Sequence, residues 1–250
     1  MTKIMLAALV SLAALQDQKP EPLKVVFFTG GGYHDYKKLA PLLTEKIAAL
    51  ANVKFDVKWD LAGLKDLKDG AAFDAVVYDT CFDDAKDDPE LIERLRKVTR
   101  DGKPTVMIHC AVHTFRVNKD WSECCGQLSR VHDPYQAFGT EKADKDHPVM
   151  KSWPDEWKTD GDELYNTIEL YKDSHALLKA KSPKTGKEHV VCWTVSYGKG
   201  KVFATTLGHD MKTAAQADYH RLLAYGLLWS CGKLGEDGKP IKGYEGPGPK

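Results

Sequence analysis

The chain has 250 residues, with 36 Lys+Arg and 36 Asp+Glu, so its formal net charge is zero. This balance, without a long basic run, argues against nucleic acid as a partner. With 42% hydrophobic residues the chain can build an ordinary buried core. Its length fits one large domain or two small ones.

The N-terminus has the pattern of an export signal. Lys3 precedes an apolar stretch over residues 4–15, which contains small residues suited to cleavage and is followed by Gln-Asp-Gln. This stretch is too short to span a bilayer comfortably. We therefore predict a signal peptide over residues 1–18 and a secreted or periplasmic mature protein without a membrane span. A buried N-terminal helix is the alternative.

The cysteine pattern fits such a compartment without assigning a pairing. The six cysteines are Cys81, Cys110, Cys124, Cys125, Cys192 and Cys231. An oxidising compartment permits disulfides, and the even count permits them too. No C-x-x-C pair occurs, so a thiolate zinc site is not indicated. Buried, inert thiols are expected at Cys192 and Cys231.

Strands and helices alternate in the first half of the chain. Strands are predicted from apolar or alternating runs at residues 23–29, 53–59, 73–78 and 105–109. Helices are predicted at residues 36–51, from the spacing of apolar residues, and at 88–98, which begins with Asp-Pro. The order β-α-β-β-α-β predicts a doubly wound, mostly parallel sheet.

The second half is less regular. Residues 117–165 are rich in Asp, Lys, Pro and Trp, which predicts functional loops and short strands, with a small helix near residues 121–128. A hairpin is predicted from residues 189–195 and 201–207, and a closing helix from residues 219–229. We expect the folded domain to span residues 23–232, and residues 233–250 to form a flexible C-terminal tail.

Six histidines stand in loops or at the ends of predicted strands: His34, His109, His113, His132, His147 and His209. Ligands in open α/β sheets bind just beyond the carboxyl ends of strands. Since His34, His109 and His209 follow predicted strands, we expect them in one pocket, with His132 reaching in from the central loop. Imidazoles gathered there can bind a divalent metal such as zinc, act as acid or base, hydrogen-bond a substrate, or serve structure alone.

An ordered set of motifs carries a resemblance to a known family. The motifs are T-G-G-G-Y-H-D, V-M-I-H-C-A-V-H-T-F-R, D-H-P-V, D-E-L-Y-N, V-V-C-W-T-V-S-Y-G-K-G-K-V-F-A-T-T-L-G-H-D and L-L-W. Over residues 23–232 the chain resembles the ThuA-like (trehalose utilisation) family. The resemblance implies a class I glutamine amidotransferase-like fold, which is a flavodoxin-like three-layer α/β/α sandwich with a mostly parallel sheet. It also implies a role in catabolism of trehalose and related disaccharides, by way of 3-keto sugars.

The same resemblance raises the possibility of a cysteine nucleophile. In amidotransferases a nucleophilic Cys sits on a sharp strand-to-helix turn, and a His followed by an acid comes after a later strand. Here Cys110 follows a predicted strand, and His209 with Asp210 follows another. However, Cys110 is flanked by His109 and Ala111 rather than by glycines. A small packed thiol beneath the pocket is the favoured interpretation, and a nucleophile is the alternative.

Further side chains are candidates for catalysis and binding. Glu163 and Asp210 could act as acid or base beside the histidines. Candidate substrate-binding residues are Tyr33, His34, His113, Arg116, Tyr165 and Trp193. Trp193 and Tyr165 could stack on a sugar, but Trp193 lies in an apolar strand, so core packing is at least as well supported.

The sequence therefore predicts an exported enzyme that acts on a small-molecule carbohydrate. Isomerase, lyase and hydrolase chemistry on a keto sugar or glycoside are all compatible with the residues, with or without a metal. The alternatives are a non-catalytic periplasmic sugar-binding protein and a Cys110-dependent amidase or other hydrolase. The sequence does not determine the sugar, the disulfide pairing or the oligomeric state, and a homo-oligomer is among the options.

Overall fold

A computed structural model describes residues 19–67, 72–82 and 88–248. The predicted signal peptide at residues 1–18 lies outside these ranges. The strands are β1 (Leu23–Gly31), β2 (Val53–Trp59), β3 (Ala75–Cys81), β4 (Thr105–Ile108), β5 (Gln127–His132), β6 (Gln136–Lys142), β7 (Trp157–Asp162), β8 (Tyr165–Leu170), β9 (Ser174–Lys181), β10 (Glu188–Tyr197) and β11 (Gly200–Thr205).

The helices are short and alternate with the first strands. They are α1 (Tyr36–Leu50), α2 (Asp60–Lys65), α3 (Pro89–Arg100), α4 (Lys119–Cys125), α5 (Met211–Ala214) and α6 (Ala217–Ser230), with 3-10 turns at His109–Val112 and Pro148–Ser152. Helix α2 escapes prediction because six residues are too few to show a helical period. None of the helices in the described ranges is long and apolar enough to cross a bilayer.

Nine strands of the described chain form one sheet, in the order β2-β1-β3-β4-β11-β10-β9-β6-β7. The first five strands in this order pair in parallel. Strands β10, β9, β6 and β7 extend the sheet by antiparallel pairing, and β10 forms the predicted hairpin with β11. Strands β5 and β8 make a separate antiparallel pair. Helices provide the crossovers that parallel neighbours require.

Both faces of the sheet are covered, which gives three layers. Side chains alternate along β1, so Val25 and Phe27 join the apolar cluster that contains residues of α1 and α6. Val26 and Phe28 join the opposite cluster, with residues of α2, α3 and α4. Burial on both faces explains why β1 is a continuous apolar run. The predicted α/β/α sandwich is confirmed.

The segment after residue 232, predicted as a flexible tail, contacts the core of the domain. Its backbone carbonyls at Gly243 and Tyr244 each accept a 2.9 Å hydrogen bond from Asn52, and Gly248 N donates to Ala49 O over 2.9 Å. The Tyr244 side chain packs against the core cluster under α1. Composition alone hides this packing, because the Gly and Pro residues that suggested a loose tail form turns here.

Candidate active site at the carboxyl edge of the sheet

Three histidines meet at the carboxyl ends of β1, β4 and β11. His34 follows β1, His109 follows β4 directly, and His209 follows β11. One nitrogen from each imidazole lies within 4.8 Å of the other two. The ring centroid of His34 is 4.8 Å from the centroid of His109 and 4.8 Å from that of His209. The three histidines that were predicted to share a pocket thus lie together. We call these three residues the histidine cluster.

His109 occupies a sharp turn between β4 and the following 3-10 turn. Its φ of +48° lies in the left-handed region, which a non-glycine residue adopts only when the surroundings enforce it. The side chain is buried, and Nδ1 donates to the carbonyl of Thr206 over 2.6 Å. That hydrogen bond orients the ring so that Nε2 faces the cluster and the Glu163 carboxylate.

His34 is oriented in the same way. Its Nδ1 lies 3.1 Å from the carbonyl of His209, so Nδ1 carries the proton. Its Nε2 is buried without a hydrogen-bond partner among the described residues. Backbone carbonyls therefore orient the imidazoles of His34 and His109 so that Nε2 of each faces the cluster. Metal-ligating histidines are oriented by partners of the same kind.

The Glu163 carboxylate lies against the cluster from the turn between β7 and β8. Its Oε2 is 3.5 Å from His109 Nε2 and 3.2 Å from His209 Nδ1. The contact with His209 is close enough for an ion pair, but its angles do not suit a hydrogen bond. His209 Nδ1 therefore also lacks a hydrogen-bond partner within the described chain. The other oxygen, Oε1, is 3.6 Å from His132 Nε2. His132 therefore contacts Glu163 but does not belong to the histidine cluster.

Charge is distributed unevenly over these groups. Burial opposes ionisation of Glu163, but its contacts with His109 and His209 hold the pKa of this carboxyl well below its usual range. Burial likewise opposes protonation of His109, yet the carboxylates of Glu163 and Asp162 raise its pKa overall. Burial and the neighbouring histidines lower the pKa of His34 to about 3. The site thus contains a carboxylate and a neutral His34 at neutral pH.

Asp162, which was not among the predicted site residues, fixes the loop that carries His209. Its buried carboxylate accepts backbone hydrogen bonds from Gly208 at 2.8 Å, from His209 at 3.1 Å and from Glu163 at 2.8 Å. One side chain therefore ties the end of β11 to the turn that holds Glu163. The signal was its position directly before Glu163 in the motif D-E-L-Y-N.

Stacked aromatic rings form one wall of the site. The ring of Tyr165 is buried and packs 4.1 Å from His113, nearly parallel to it, and 5.6 Å from His132. The Tyr165 hydroxyl lies 3.4 Å from His109 Nε2. His113 is held behind Tyr165 by a 3.2 Å hydrogen bond to Ser129. His113 therefore supports the aromatic wall from behind Tyr165.

The rim carries two further candidates, Tyr33 and Asp210. Tyr33 is 61% exposed beside His34 and has a φ of +75°. The Asp210 carboxylate caps α5 by accepting from Lys212 N at 2.8 Å, and it accepts from the Tyr135 hydroxyl at 2.7 Å. Asp210 thus lies at the rim rather than against the histidines. Tyr135, missed from the sequence, has a ring 5.2 Å from that of His209.

Two candidate binding residues, Trp193 and Arg116, make structural contacts. Trp193 has no exposed surface, and its Nε1 donates to Cys125 O at 2.8 Å, so it belongs to the core rather than to a pocket wall. Arg116 donates to Arg130 O at 3.1 Å, and Arg130 donates back to Arg116 O at 3.0 Å. This exchange ties the segment before α4 to β5. The sequence does not reveal these contacts, because the partners of Trp193 and Arg116 are backbone carbonyls of other segments.

Cys110 is bonded to Cys81 in a disulfide across the ends of β4 and β3. In this form Cys110 has no thiolate, and the packed free thiol that the sequence favoured is also replaced by a bond. Cys124, Cys125 and Cys192 are free and buried, and Cys231 is free and partly buried. His147 caps the 3-10 turn at Pro148–Ser152 by accepting from Val149 N, away from the cluster.

Comparison with known proteins places this arrangement in a family. The model of the family ThuA, described as trehalose utilisation, matches residues 24–230. The chain belongs to the ThuA family. Two solved structures described as ThuA-like support the assignment, one from Parabacteroides merdae (21% identity, 90% of this chain and 95% of that chain, TM-score 0.73) and one from Bacteroides uniformis (16%, 86% and 94%, TM-score 0.68).

A more distant neighbour identifies the wider fold. A protein described as a GMP synthase subunit from Thermoplasma acidophilum superposes with a TM-score of 0.57 at 13% identity, covering 85% of this ThuA-family chain and 96% of its own. The amidotransferase-like fold implied by the sequence motifs is therefore confirmed. No curated protein matches the sequence.

Substitution of Asp162 tests its positioning role. In Asp162→Asn the amide nitrogen must face one of the three backbone N–H groups, and each orphaned buried donor costs about 1–3 kcal/mol. We expect the free energy of unfolding to fall by about 2 kcal/mol in urea titrations. Asp160→Asn on the same strand is the control, since Asp160 is exposed and should change stability by less than about 0.5 kcal/mol. Equal stability of both variants would rule the role out.

His113 gives a pH-dependent prediction. Burial, reinforced by the charge of Arg116, lowers the pKa of His113 from 6.5 to about 2. Between about pH 2 and pH 6.5 His113 binds a proton in the unfolded chain but not in the folded one. The contribution of His113 to the free energy of unfolding is therefore complete above pH 6.5 and declines as the pH falls below that value. The slope from this group is at most about 1.4 kcal/mol per pH unit.

His113→Phe keeps a ring against Tyr165 and removes the titration, while the Ser129 hydroxyl keeps Val131 O as an acceptor. We therefore expect a shallower loss of unfolding free energy between pH 7 and pH 5 than in the wild type, measured by urea denaturation at each pH. Superimposable pH profiles of the two proteins would contradict this assignment.

Proposed function

We propose that this ThuA-family protein is an exported, metal-assisted enzyme of carbohydrate catabolism that acts on a keto sugar or glycoside. The observation that carries the proposal is the convergence of His34, His109 and His209, with the Glu163 carboxylate against two of them. Carboxylate, imidazole lone pairs and a phenol in one pocket supply the groups needed for proton transfer at a sugar.

The donor set suits a divalent ion such as zinc. Catalytic zinc sites have three protein ligands and one open position, with metal–nitrogen distances of about 2.0–2.1 Å. Nitrogens within 4.8 Å of one another can surround such an ion after small side-chain shifts. His34 Nε2 and His209 Nδ1, buried without hydrogen-bond partners in the described chain, are the atoms that a cation would satisfy. The carbonyls behind His34 and His109 provide the usual outer support.

A bound divalent ion would supply Lewis-acid polarisation of a sugar carbonyl or hydroxyl. The protein's own groups then move the protons. Glu163, ionised at neutral pH, removes the proton from the hydroxyl-bearing carbon next to the carbonyl. The C–H electron pair forms a carbon–carbon double bond while the carbonyl π pair moves onto its oxygen. In an isomerisation the hydroxyl proton passes to that oxygen, the hydroxyl oxygen forms the new carbonyl, and the double-bond pair takes the proton back from Glu163 at the former carbonyl carbon. Expulsion of a substituent oxygen from the next carbon, with a proton delivered to it, completes an elimination.

His132 can exchange the proton with solvent. Its side chain is 37% exposed, and its Nε2 approaches Glu163 Oε1, the oxygen that does not face the cluster. The Tyr165 hydroxyl, 3.4 Å from His109 Nε2, is placed to donate to an oxygen that gains negative charge. In a hydrolytic variant of the reaction Glu163 would activate water instead of a C–H bond.

Export is part of the proposal and is supported by two features. The N-terminal apolar stretch has the composition of a signal peptide. The Cys81–Cys110 disulfide belongs in an oxidising compartment. A Cys110-dependent hydrolase would require reduction of this bond first, so the histidine cluster and Glu163 are the better candidates for the chemistry.

Metal content is the decisive measurement. We expect elemental analysis of the purified mature protein to find about one divalent ion per chain, because a three-histidine pocket is complete in the fold. His34→Ala and His209→Ala should each lose the ion. The matched control is His175→Ala, since His175 is exposed and paired with Asp144 outside the cluster. Folded wild-type protein that takes up no ion would refute metal assistance.

Glu163→Gln separates catalysis from sugar binding. Loss of a positioned base lowers turnover by about 10²- to 10⁴-fold. We expect this loss in kcat with metal content and sugar affinity largely kept, because the amide is nearly isosteric with the carboxylate. Turnover is measured by product analysis on keto sugars and disaccharides. A wild type that binds sugar without converting it would favour the non-catalytic binding protein.

A further inference from the structure

A disulfide lies beside the histidine cluster and shares one neighbour with it. One nitrogen of His34 and the Sγ atoms of Cys81 and Cys110 all lie within 4.8 Å of one another, which is the spacing that also groups the three histidines. Both cysteines are buried, and Tyr36 packs with them. The proposed chemistry uses His34 but neither sulfur. Cleavage of one S–S bond would therefore create a second set of three ligand atoms at this edge of the sheet.

The ends of three neighbouring strands hold this group together. Gly31 at the end of β1 pairs with Cys81 at the end of β3, and its φ of +108° lies in the region that favours glycine. A Cβ at Gly31 would overlap the carbonyl oxygen of Cys81. Glycine therefore lets the loop that carries His34 leave β1 next to the disulfide. The left-handed turn at His109 places Cys110 on the other side.

The ligand atoms of this group suit zinc once the bond is open. His34 Nδ1 lies against the carbonyl of His209, and His34 Nε2 is buried without a hydrogen-bond partner among the described residues. Two thiolates, one imidazole and an open fourth position form one of the donor sets that bind zinc in enzymes. Thiolates also select soft or borderline ions over hard ones such as magnesium. The closed disulfide offers no thiolate, so only the reduced protein has this donor set.

We propose that Cys81, Cys110 and His34 form a zinc site that exists only when the disulfide is reduced. This site and the histidine cluster both need the one free lone pair of His34, which ligates a single ion. Because thiolates bind zinc more strongly than neutral imidazoles, the ion leaves the histidine cluster for the sulfurs when the bond opens. Reduction thus moves the ion away from Glu163 and switches off the metal-assisted reaction. The switching of activity rests on the proposed function, whereas the zinc site does not.

A dithiol is the reductant that this switch requires. One of its thiolates attacks a sulfur of the disulfide, and the S–S electron pair leaves on the other cysteine as a thiolate. The second thiol of the reductant then attacks the mixed disulfide that has formed. The reductant ends as a disulfide, and Cys81 and Cys110 end as two thiols, whose protons are released when zinc binds. The reverse exchange restores the bond after zinc leaves.

Cobalt(II) is the probe for this site, because thiolate ligands give bound cobalt an intense sulfur-to-metal charge-transfer band in the near ultraviolet, whereas imidazole ligands do not. The full mature protein is reduced with dithiothreitol, freed of it by gel filtration without oxygen, and titrated with cobalt beside the oxidised protein. We expect the band in the reduced protein alone, at one ion per chain. Chelator competition should show zinc bound at least about tenfold more tightly after reduction.

Three variants assign the band to these ligands. Cys81→Ser combined with Cys110→Ser should give no band in either state, and it keeps the other four cysteines as an internal control. His34→Ala should also lose the band. His209→Ala removes a ligand of the histidine cluster only, so the reduced variant should keep the band while the oxidised variant binds no ion. If the double variant is poorly folded, reoxidation of the wild type must abolish the band instead.

The outcomes separate the zinc site from the proposed function. A reduced wild type that has gained two thiols but shows no band overturns the site, and so does a folded protein whose disulfide resists dithiothreitol. A band that persists in the double serine variant overturns it as well. None of these results affects ion uptake by the oxidised protein, which tests the proposed function. An oxidised protein without an ion, beside a reduced protein with the band, supports the site and refutes metal assistance.

Discussion

The site depends on one partly buried carboxylate. Glu163 faces three imidazoles from different parts of the chain, and an anion removed from water persists only where neighbouring groups compensate its charge. Its position follows from Asp162, which binds the backbone of Glu163 and of the loop carrying His209. The histidines are thus arranged around a charge that the fold holds in place, and a cation between them would complete the same electrostatic balance.

The fold contributes a sharp turn at the end of β4. The left-handed residue of that turn is His109, not Cys110, so the position next to the pocket centre carries an imidazole. Cys110 turns instead toward β3 and bonds with Cys81. The turn therefore presents an imidazole to the pocket, where the sequence motif had suggested a cysteine.

The sequence was sufficient to predict the strands of the parallel half and the gathering of His34, His109 and His209, because buried strands are continuous apolar runs and their carboxyl ends share one edge. It could not predict α2, because six residues are too few to show the repeat of apolar positions that reveals a helix. Asp162 and Tyr135 were missed because their roles arise from backbone and ring contacts between segments far apart in sequence. Trp193 was ambiguous for a related reason, since an aromatic residue in an apolar strand looks alike whether it lines a pocket or the core.

His34 and His209 are separated by 175 positions, and the hydrogen bond between them joins the start of the first crossover to the end of the last parallel strand. A ligand held by both residues would act as a reversible cross-link between early and late parts of the chain. By mass action it would favour the folded state over every locally opened form in which either loop departs, to a degree set by its concentration relative to its dissociation constant. Resistance to proteolysis in the loops that carry His34 and His209 would then increase with occupancy of the pocket.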